Sequence, residues 1–561
     1  MKRLVLYLGL ILLLFALHGT VFAATYYVSS AGSDTNLGTQ SSPWKTIQKA
    51  ANTMAAGDTV TVLAGSYAFE RVQVSKSGSA GVPIIFQAQG TVVMKGFKIV
   101  ANYITVKGFE IANTDYIRWN TGVSSGIYIK GSNNIIESNY IHDSALNGIT
   151  IYGTPSEPTV SSNNIIKSNR LYHNEEAGID VSGRNNLIES NEVWGTVQCL
   201  PSLTTVEDNA SDNPNHLKCP NYPVVSGLDA DFMRYFGQGH IFRKNYSHDI
   251  HINPPEAVDP HIDCFQTWAD SYDEVAKNIL FERNYCENLN VGMYAFMLAG
   301  DSNKTVVPTN ITIRNNIFRV ADGINTAGGV DYLYVYNNLF ANNLSFGANG
   351  YPGAIGLDNI PHAFIKNNIF YNQPYHTVTV IGNTSGVDLD YNLAYNSDGS
   401  KAECVKWGNY DTCQPLGHNI WNGNPQFVNP SGNDFHLVAS SPAVDKGTNV
   451  GVTDDYDGTP RPQGSGYDIG VYEYSSGFGT ILTPTPTPSL TVAAPTPTRT
   501  PTPVIKAGDA NNDGHVDETD YGIWLSHFGQ TVSGGRTVGD FDEDGKVDGV
   551  DYSEWLKNYG I

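Results

Sequence analysis

From residue 126 to residue 373 the chain repeats one pattern of apolar and polar positions. A short run of alternating apolar residues meets an Asn, and a second short run follows. NNIIESNYIHDS from Asn133, NNIIKSNRLYHN from Asn163 and NNLIESNEVWGT from Asn185 show it most clearly. It returns as HIFRKNYSHDI from His240, NILFERNYCENL from Asn278, NITIRNNIFRVA from Asn310, YLYVYNNLFANN from Tyr332 and HAFIKNNIFYNQ from His362. The recurring Asn residues are Asn139, Asn169, Asn191, Asn245, Asn284, Asn316, Asn338 and Asn368, at spacings of 30, 22, 54, 39, 32, 22 and 30. Units this short cannot bury their own apolar faces. Stacked as coils, they pair strands in parallel and share one core. The base period is one coil, and longer gaps are coils carrying inserted loops. Asn at each bend can hydrogen-bond the Asn of the next coil, and the pattern predicts that it takes the left-handed backbone of the bend.

A further strand precedes each Asn unit: GIYIKG from Gly126, GITIYG from Gly148 and GIDVSG from Gly178. DADFMRYFG from Asp229, HIDCFQTWA from His261 and GMYAFMLAG from Gly292 take its place in later coils. Near the start, Ile47, Ala50, Ala51 and Met54 fall at helical spacing after Ser41-Ser42-Pro43, which reads as a helix start. An amphipathic helix there would cap the open end of the rod. The segment ending at Tyr474 is expected to close the other end.

The opening YYVSSAGSDTNLGTQSSPWKTIQKA (Tyr26 to Ala50) and the closing SPAVDKG and DYDGTPRPQGSGYDIGVYEY stretches (Ser441 to Tyr474) resemble the ends of secreted pectate-lyase-like β-helix proteins. The resemblance implies an all-β fold, a right-handed single-stranded parallel β-helix, and activity on polysaccharides. That fold hosts lyases, hydrolases, epimerases and inert surface proteins, so it leaves the reaction open.

After the coils, TPTPTPSLTVAAPTPTRTPTP (Thr483 to Pro503) has no hydrophobic period, and its alternating Pro favours an extended spacer. Beyond it lies a duplication: GDANNDGHVDETDYGIWLSHFG from Gly508 and GDFDEDGKVDGVDYSEWLKNYG from Gly539, offset by 31. Asp509, Asn511 and Asp513, and Asp540, Asp542 and Asp544, take loop positions one, three and five. Gly514 and Gly545 supply the sharp turn, and His515 and Lys546 offer backbone carbonyls. Asp517 and Asp548 sit at position nine, Asp520 and Asp551 at position twelve. Calcium takes six to eight hard oxygens on a flexible loop, and this spacing wraps one ion per repeat. Asp rather than Glu at position twelve resembles a type I dockerin. That resemblance implies a small α-helical domain with two calcium loops and a cohesin-type scaffold module as partner. Each loop runs into Tyr-x-x-Trp-Leu (Tyr521, Trp524, Leu525; Tyr552, Trp555, Leu556), a short helix with one apolar face.

Composition sets the compartment. Lys2 and Arg3, the apolar run Leu4 to Leu17, and Val21-Phe22-Ala23 read as a signal peptide. The expected organisation is therefore a signal peptide over 1–23, a β-helix over 24–482, a linker over 483–504 and a dockerin-like domain over 505–561. No segment is long and apolar enough to span a membrane. The protein is expected to be secreted, outside the cell or at its surface. Six cysteines suit export: Cys199 pairs with Cys219 and Cys404 with Cys413 by their bracketing of irregular stretches, leaving Cys264 and Cys286. A net charge of −22 argues against nucleic acid as a partner.

Candidate chemistry gathers where the regular coils break. Insertions at Gly195 to Leu228 and His251 to Pro260 both fall after an Asn unit and before the preceding-strand type, so they project from one edge. Aligned on their closing small residues, Asp180, Arg234 and Gln266 share one position, with Asp229, Asp231, His261 and Asp263 just before. Asp231, Arg234, His261 and Asp263 are the expected catalytic residues. A uronate lyase needs a cation at the carboxylate, from Arg234 or a further, Asp-bound calcium ion, and a base such as His261, His240 or Lys244. A hydrolase needs two carboxylates across the bond, such as Asp231 and Asp263. Arg243, Lys244 and the pair His248-Asp249 match ordinary coil positions and read as structural. The alternative to an enzyme is a non-catalytic surface β-helix that binds glycan or protein.

Overall fold

The computed structural model describes residues 23–114, 121–157, 161–197, 230–249, 262–269, 273–288, 294–301, 303, 305–326, 329–341, 353–358, 360–373, 376–381, 386–400, 402, 406–407, 410–411 and 417–475, then 508–512, 516, 518–527, 532–541, 543, 545–547, 551 and 555. The chain divides into two compact units, Met1–Thr480 and Ile481–Ile561. The signal-peptide run, the linker, and the cysteines at 199, 219, 404 and 413 lie outside the described residues.

In the first unit the coils stack into three parallel ladders. The first ladder joins the strands before each Asn, from Ile104–Lys107 through Ile135–Glu137, Ile165–Lys167 and Leu187–Glu189 to Val387–Asp390. The second joins the strands after it, from Glu110–Ala112 through Tyr140–His142 to Leu393–Tyr395. The third joins the strands that precede each Asn unit, from Ile127–Ile129 through Glu176–Val181, Ala230–Tyr235 and Asp263–Trp268 to His376–Ile381. One core runs through the coils. It is aliphatic at Ile136, Ile149, Ile166 and Ile188, then aromatic at Phe242, Phe265, Phe281, Phe296, Phe318 and Phe340. Each such side chain contributes about 1.5–3 kcal/mol by leaving water. Cys264 and Cys286, both in this core, are joined by a disulfide.

The Asn residues form the expected internal ladder. Asn139, Asn169, Asn191, Asn245, Asn284, Asn316, Asn338 and Asn368 each donate Nδ2–H to the Oδ1 of the next, and Asn392 and Asn419 extend the row. The left-handed backbone, however, belongs to the residue before each of them: Ser138, Ser168, Ser190, Lys244, Arg283, Asn315, Asn337 and Asn367 all have φ between 52° and 59°. The ladder Asn is held by its amide hydrogen bonds, and the bend is made one residue earlier.

The capping helix is Ile47–Thr53, with Ile47, Ala50 and Ala51 buried. Its N-cap is Thr46, whose hydroxyl accepts from the Lys49 N–H, so the helix starts later than Ser41-Ser42-Pro43. The segment ending at Tyr474 packs along the flank of the rod. Phe435, Leu437, Ile469 and Val471 cover Ile317, Leu339, Ile369 and Leu393 on the outer face of the second ladder. Arg283 Nε donates to Asp455 O at 2.9 Å and Asn367 Nδ2 to Thr448 O at 2.8 Å, tying this strap to coils far back along the chain.

In the second unit, helix Glu518–His527 forms the latter part of the first repeat, and Trp524, Trp555, Val516, Phe541 and Val547 form a small core. The repeats interlock. A Cβ on Gly539 would lie 2.4 Å from Trp524 Cα, and one on Gly508 would lie 3.0 Å from Trp555 Cα. Both glycines have positive φ, 87° and 91°, so only glycine meets both demands.

Candidate functional site

The third ladder sets the site. Asp180 pairs in register with Arg234, and Arg234 with Gln266, so the three occupy one outward row on successive coils. Phe232 and Met233 are both buried in the core, as are Cys264 and Phe265. Two consecutive inward residues break the strict alternation, and Asp231 and Asp263 therefore face the same side as Arg234 and Gln266. Asp231, Arg234 and Asp263 are thus brought together on neighbouring strands. His261 lies outside the described residues, as do Asp229, Asp259 and His251.

The cluster is densely bonded. Arg234 Nε donates to Asp231 Oδ2 at 2.8 Å, and its Nη1 lies 3.3 Å from Glu176 Oε1. Its guanidinium carbon sits 5.7 Å over the Trp268 ring. Asp231 Oδ1 accepts from the Asp263 N–H at 2.9 Å, and Asp263 Oδ2 accepts from Gln266 Nε2 at 3.0 Å. Asp231 and Asp263 are 0% and 1% exposed, so they lie beneath the surface of the cluster. Glu176, Asp180 and Trp268 keep part of their surface open and mark its accessible side. Both oxygens of Asp231 are committed to N–H donors, which weighs against its holding a cation. Arg234 is committed to two carboxylates, which weighs against its serving as the cation for a uronate.

Asp180 accepts from Asn147 Nδ2 at 3.2 Å. Burial pushes its carboxyl up to about 7, the negative charges of Asp273 and Glu176 add to the rise, and Arg234 opposes it. Four coils on, burial lifts Asp322 to about 6. The sequence placed Asp180 in the row without assigning it a role. Glu176 was missed, although Asn174-Glu175-Glu176 puts adjacent acids at the start of the strand that also carries Asp180.

Two of the bases considered from sequence stand elsewhere. His240 is fully buried on a second amide row that runs Asn134, Asn164, Asn186. Its Nδ1 accepts from the Asn186 N–H at 3.1 Å and its Nε2–H donates to Phe236 O at 2.7 Å. Burial pushes it down to about 4, so it is a neutral rung. Lys244 is exposed at a left-handed bend between the first two ladders. Arg243 joins a column of alternating charge, 2.6 Å from Glu282 and 3.5 Å from Glu189, with Lys167 and Glu137 paired at 2.9 Å below. His248 Nδ1 lies 2.8 Å from Asp249 and repeats the His142–Asp143 contact of 2.6 Å.

Residues 26–186 match the family model for a Pel9A-like, right handed beta helix region, and residues 507–559 match the dockerin type I domain. The chain carries a Pel9A-like right-handed β-helix region and a C-terminal dockerin domain. It is 23% identical over 326 residues to the pectate disaccharide-lyase of Dickeya chrysanthemi, covering 58% of this chain and 34% of that protein. It is 33% identical over 138 residues to the uncharacterized protein YwoF of Bacillus subtilis (strain 168), covering 22% of this chain and 28% of that protein. The chain thus spans about a third of the length of these curated relatives. Among solved structures, pectate lyase Pel9A aligns with a TM-score of 0.42 and 16% identity over 82% of this chain and 98% of its own. The lacto-N-biosidase of Eubacterium ramulus aligns at 0.41 and 14% identity, over 66% of this chain and 68% of its own.

The dockerin domain has the donors calcium asks for. Asp509, Asp520, Asp540 and Asp551 are all buried, at 2%, 0%, 2% and 1% exposed. Asp520 Oδ1 accepts from the N–H groups of Ala510 and Asn511, and Asp551 Oδ1 from Phe541 N–H. Asp540 Oδ2 accepts from Gly545 N–H, and its Oδ1 is buried with no donor among the described residues. Buried carboxylates without a cation are costly, so the donor set fits a hard divalent ion. Asp513, His515, Asp517, Asp542, Asp544 and Asp548 lie outside the described residues, while Asn511 and Lys546 lie within them.

Proposed function

We propose that this chain is a secreted polysaccharide-degrading enzyme whose dockerin domain attaches it to a cohesin-type module on a scaffold or cell surface. The observation that carries the reading is the third-ladder cluster: ionisable residues replace ordinary strand residues on adjacent coils, at one face of a rigid rod. The match to a Pel9A-like region and the distant likeness to a pectate disaccharide-lyase support a carbohydrate substrate. The boundaries read from sequence serve this organisation: export by 1–23, catalysis by 24–482, a spacer over 483–504 and attachment by 505–561. Two calcium ions, one in each loop, would bind and fold the dockerin domain. Among the described residues, no helix is long and apolar enough to cross a membrane.

Elimination is the second reading of the cleavage step, supported by the lyase relative. It would need a cation beside Asp263 and a base, for which His261 is the remaining candidate. The test is a screen of the full chain on pectate, alginate, xylan and glucan, following reducing ends and the ultraviolet absorbance of unsaturated ends. Release from at least one polymer is expected. Silence on all four from correctly folded protein would favour a non-catalytic glycan- or protein-binding rod. For attachment, a cohesin module should shift the chain on a native gel in calcium and fail to do so in chelator.

A further inference from the structure

We propose that Asp180 and Glu176 are the proton donor and the base of a glycosidic hydrolysis, with Arg234 as the residue that positions them. The inference rests on the reading of this chain as polysaccharide-cleaving and selects its chemistry. Both acids lie on strand Glu176–Val181, both are partly open to solvent, and Arg234 from the next coil faces both. By contrast, Asp231 and Asp263 are buried beneath them; both Asp231 oxygens accept, from Arg234 and the Asp263 N–H, and Asp263 Oδ2 accepts from Gln266. Glu176 holds φ at 68°, a conformation that a glutamate adopts only when its surroundings impose it. The groups around the two carboxyls are unlike. Glu176 is ion-paired with Arg234 at 3.3 Å. Asp180 meets Asn147 from the preceding coil, with Asp273 and Glu176 adding negative charge and Arg234 opposing them, and burial keeps its proton on to about pH 7. A carboxyl that keeps its proton near neutral pH serves as the acid, and the second carboxyl facing Arg234 takes the base role.

The step balances without any cofactor. Asp180 gives its proton to the bridging oxygen, the bond from that oxygen to the anomeric carbon breaks, and the electron pair stays on the leaving hydroxyl. Water from solvent attacks the anomeric carbon and passes a proton to Glu176. Exchange with solvent then returns a proton to Asp180 and frees Glu176.

The experiment follows kcat against pH for the full chain on whichever polymer the screen identifies, beside Asp180→Asn, Asp180→Glu and Glu176→Gln. Wild-type kcat should fall above about pH 7, as Asp180 loses its proton. Asp180→Asn should lose about 10²–10⁴-fold on the polymer. Most of that loss should disappear on a dinitrophenyl glycoside, whose leaving group needs no proton. Asp180→Glu should restore part of the activity, and azide should rescue Glu176→Gln. Unchanged activity and an unchanged alkaline limb in Asp180→Asn would overturn the assignment while leaving the enzyme reading intact. So would products with unsaturated ends. A wild-type chain silent on every polymer would overturn both.

Discussion

Two parts of the rod bury polar side chains, and they solve the problem in opposite ways. Along the Asn ladder every amide meets the same residue type one coil away, donating Nδ2–H to Oδ1 at 2.9–3.1 Å from Asn139 to Asn419. On the third ladder the buried groups are mixed in kind: two aspartates, an arginine and a glutamine, with Asp180 and Glu176 above them. The first arrangement is satisfied by repetition and can continue through any number of coils. The second is satisfied only as a set, and shifted protonation appears there because no neighbouring coil supplies an identical partner. Repetition therefore marks structure in this fold, and loss of repetition marks the place where chemistry is proposed.

The largest expected break comes from the ladder. Asn245 Nδ2 donates to Ile188 O and Asn284 Oδ1, and its own Oδ1 accepts both N–H groups that Asn191 presents. Asn245→Ala orphans those buried partners and should cost about 3–5 kcal/mol, read as a lower urea midpoint. A midpoint unchanged from wild type would mean that the rungs are incidental.

His240 sharpens the contrast, because it is an ionisable residue in a structural row. Its folded pKa is about 4 against an ordinary value of 6.5. As pH falls from 6.5 toward 4 the unfolded chain binds the proton first, so stability is lost across that window, by up to about 3 kcal/mol. His240→Asn restores the residue type of the row. It should keep neutral-pH stability and flatten the acid side of the stability–pH curve; an unchanged slope would contradict the rung assignment.

The smallest effect is expected from the charge column. Lys167 and Glu137 are paired at 2.9 Å with side chains 40% and 23% exposed. Lys167→Gln should change the unfolding free energy by less than about 1 kcal/mol, and less still in high salt.

Most of the rod is legible in the sequence because each coil restates the same local rule. The alignment of Asp180, Arg234 and Gln266 follows from the closing small residues of their strands, and the ladder pairs them that way. Features made once are harder to read. The strap from 427 to 474 reaches back to Arg283, and no local pattern encodes a contact so distant in sequence. A signal does exist on the receiving side. The outward position of the second ladder is Tyr140, Arg170, Glu192 and Tyr246 in early coils, then Ile317, Leu339, Ile369 and Leu393, apolar because the strap covers it. His240 misled for a related reason: a histidine in a rung looks like a base until its two ring nitrogens are seen to be engaged. Glu176 lay outside the strand motif used to align the coils, so its approach to Arg234 became visible only in three dimensions.

The measurement that bears most directly on the difference between the two regions is reducing-end release by the full chain and by Glu176→Gln on pectate, alginate, xylan and glucan, with urea midpoints for both. The account predicts release from at least one polymer by the wild type, and a fall of about 10²-fold or more in Glu176→Gln at an unchanged midpoint. Equal release by the two proteins, or no release from any polymer by folded wild type, would contradict it.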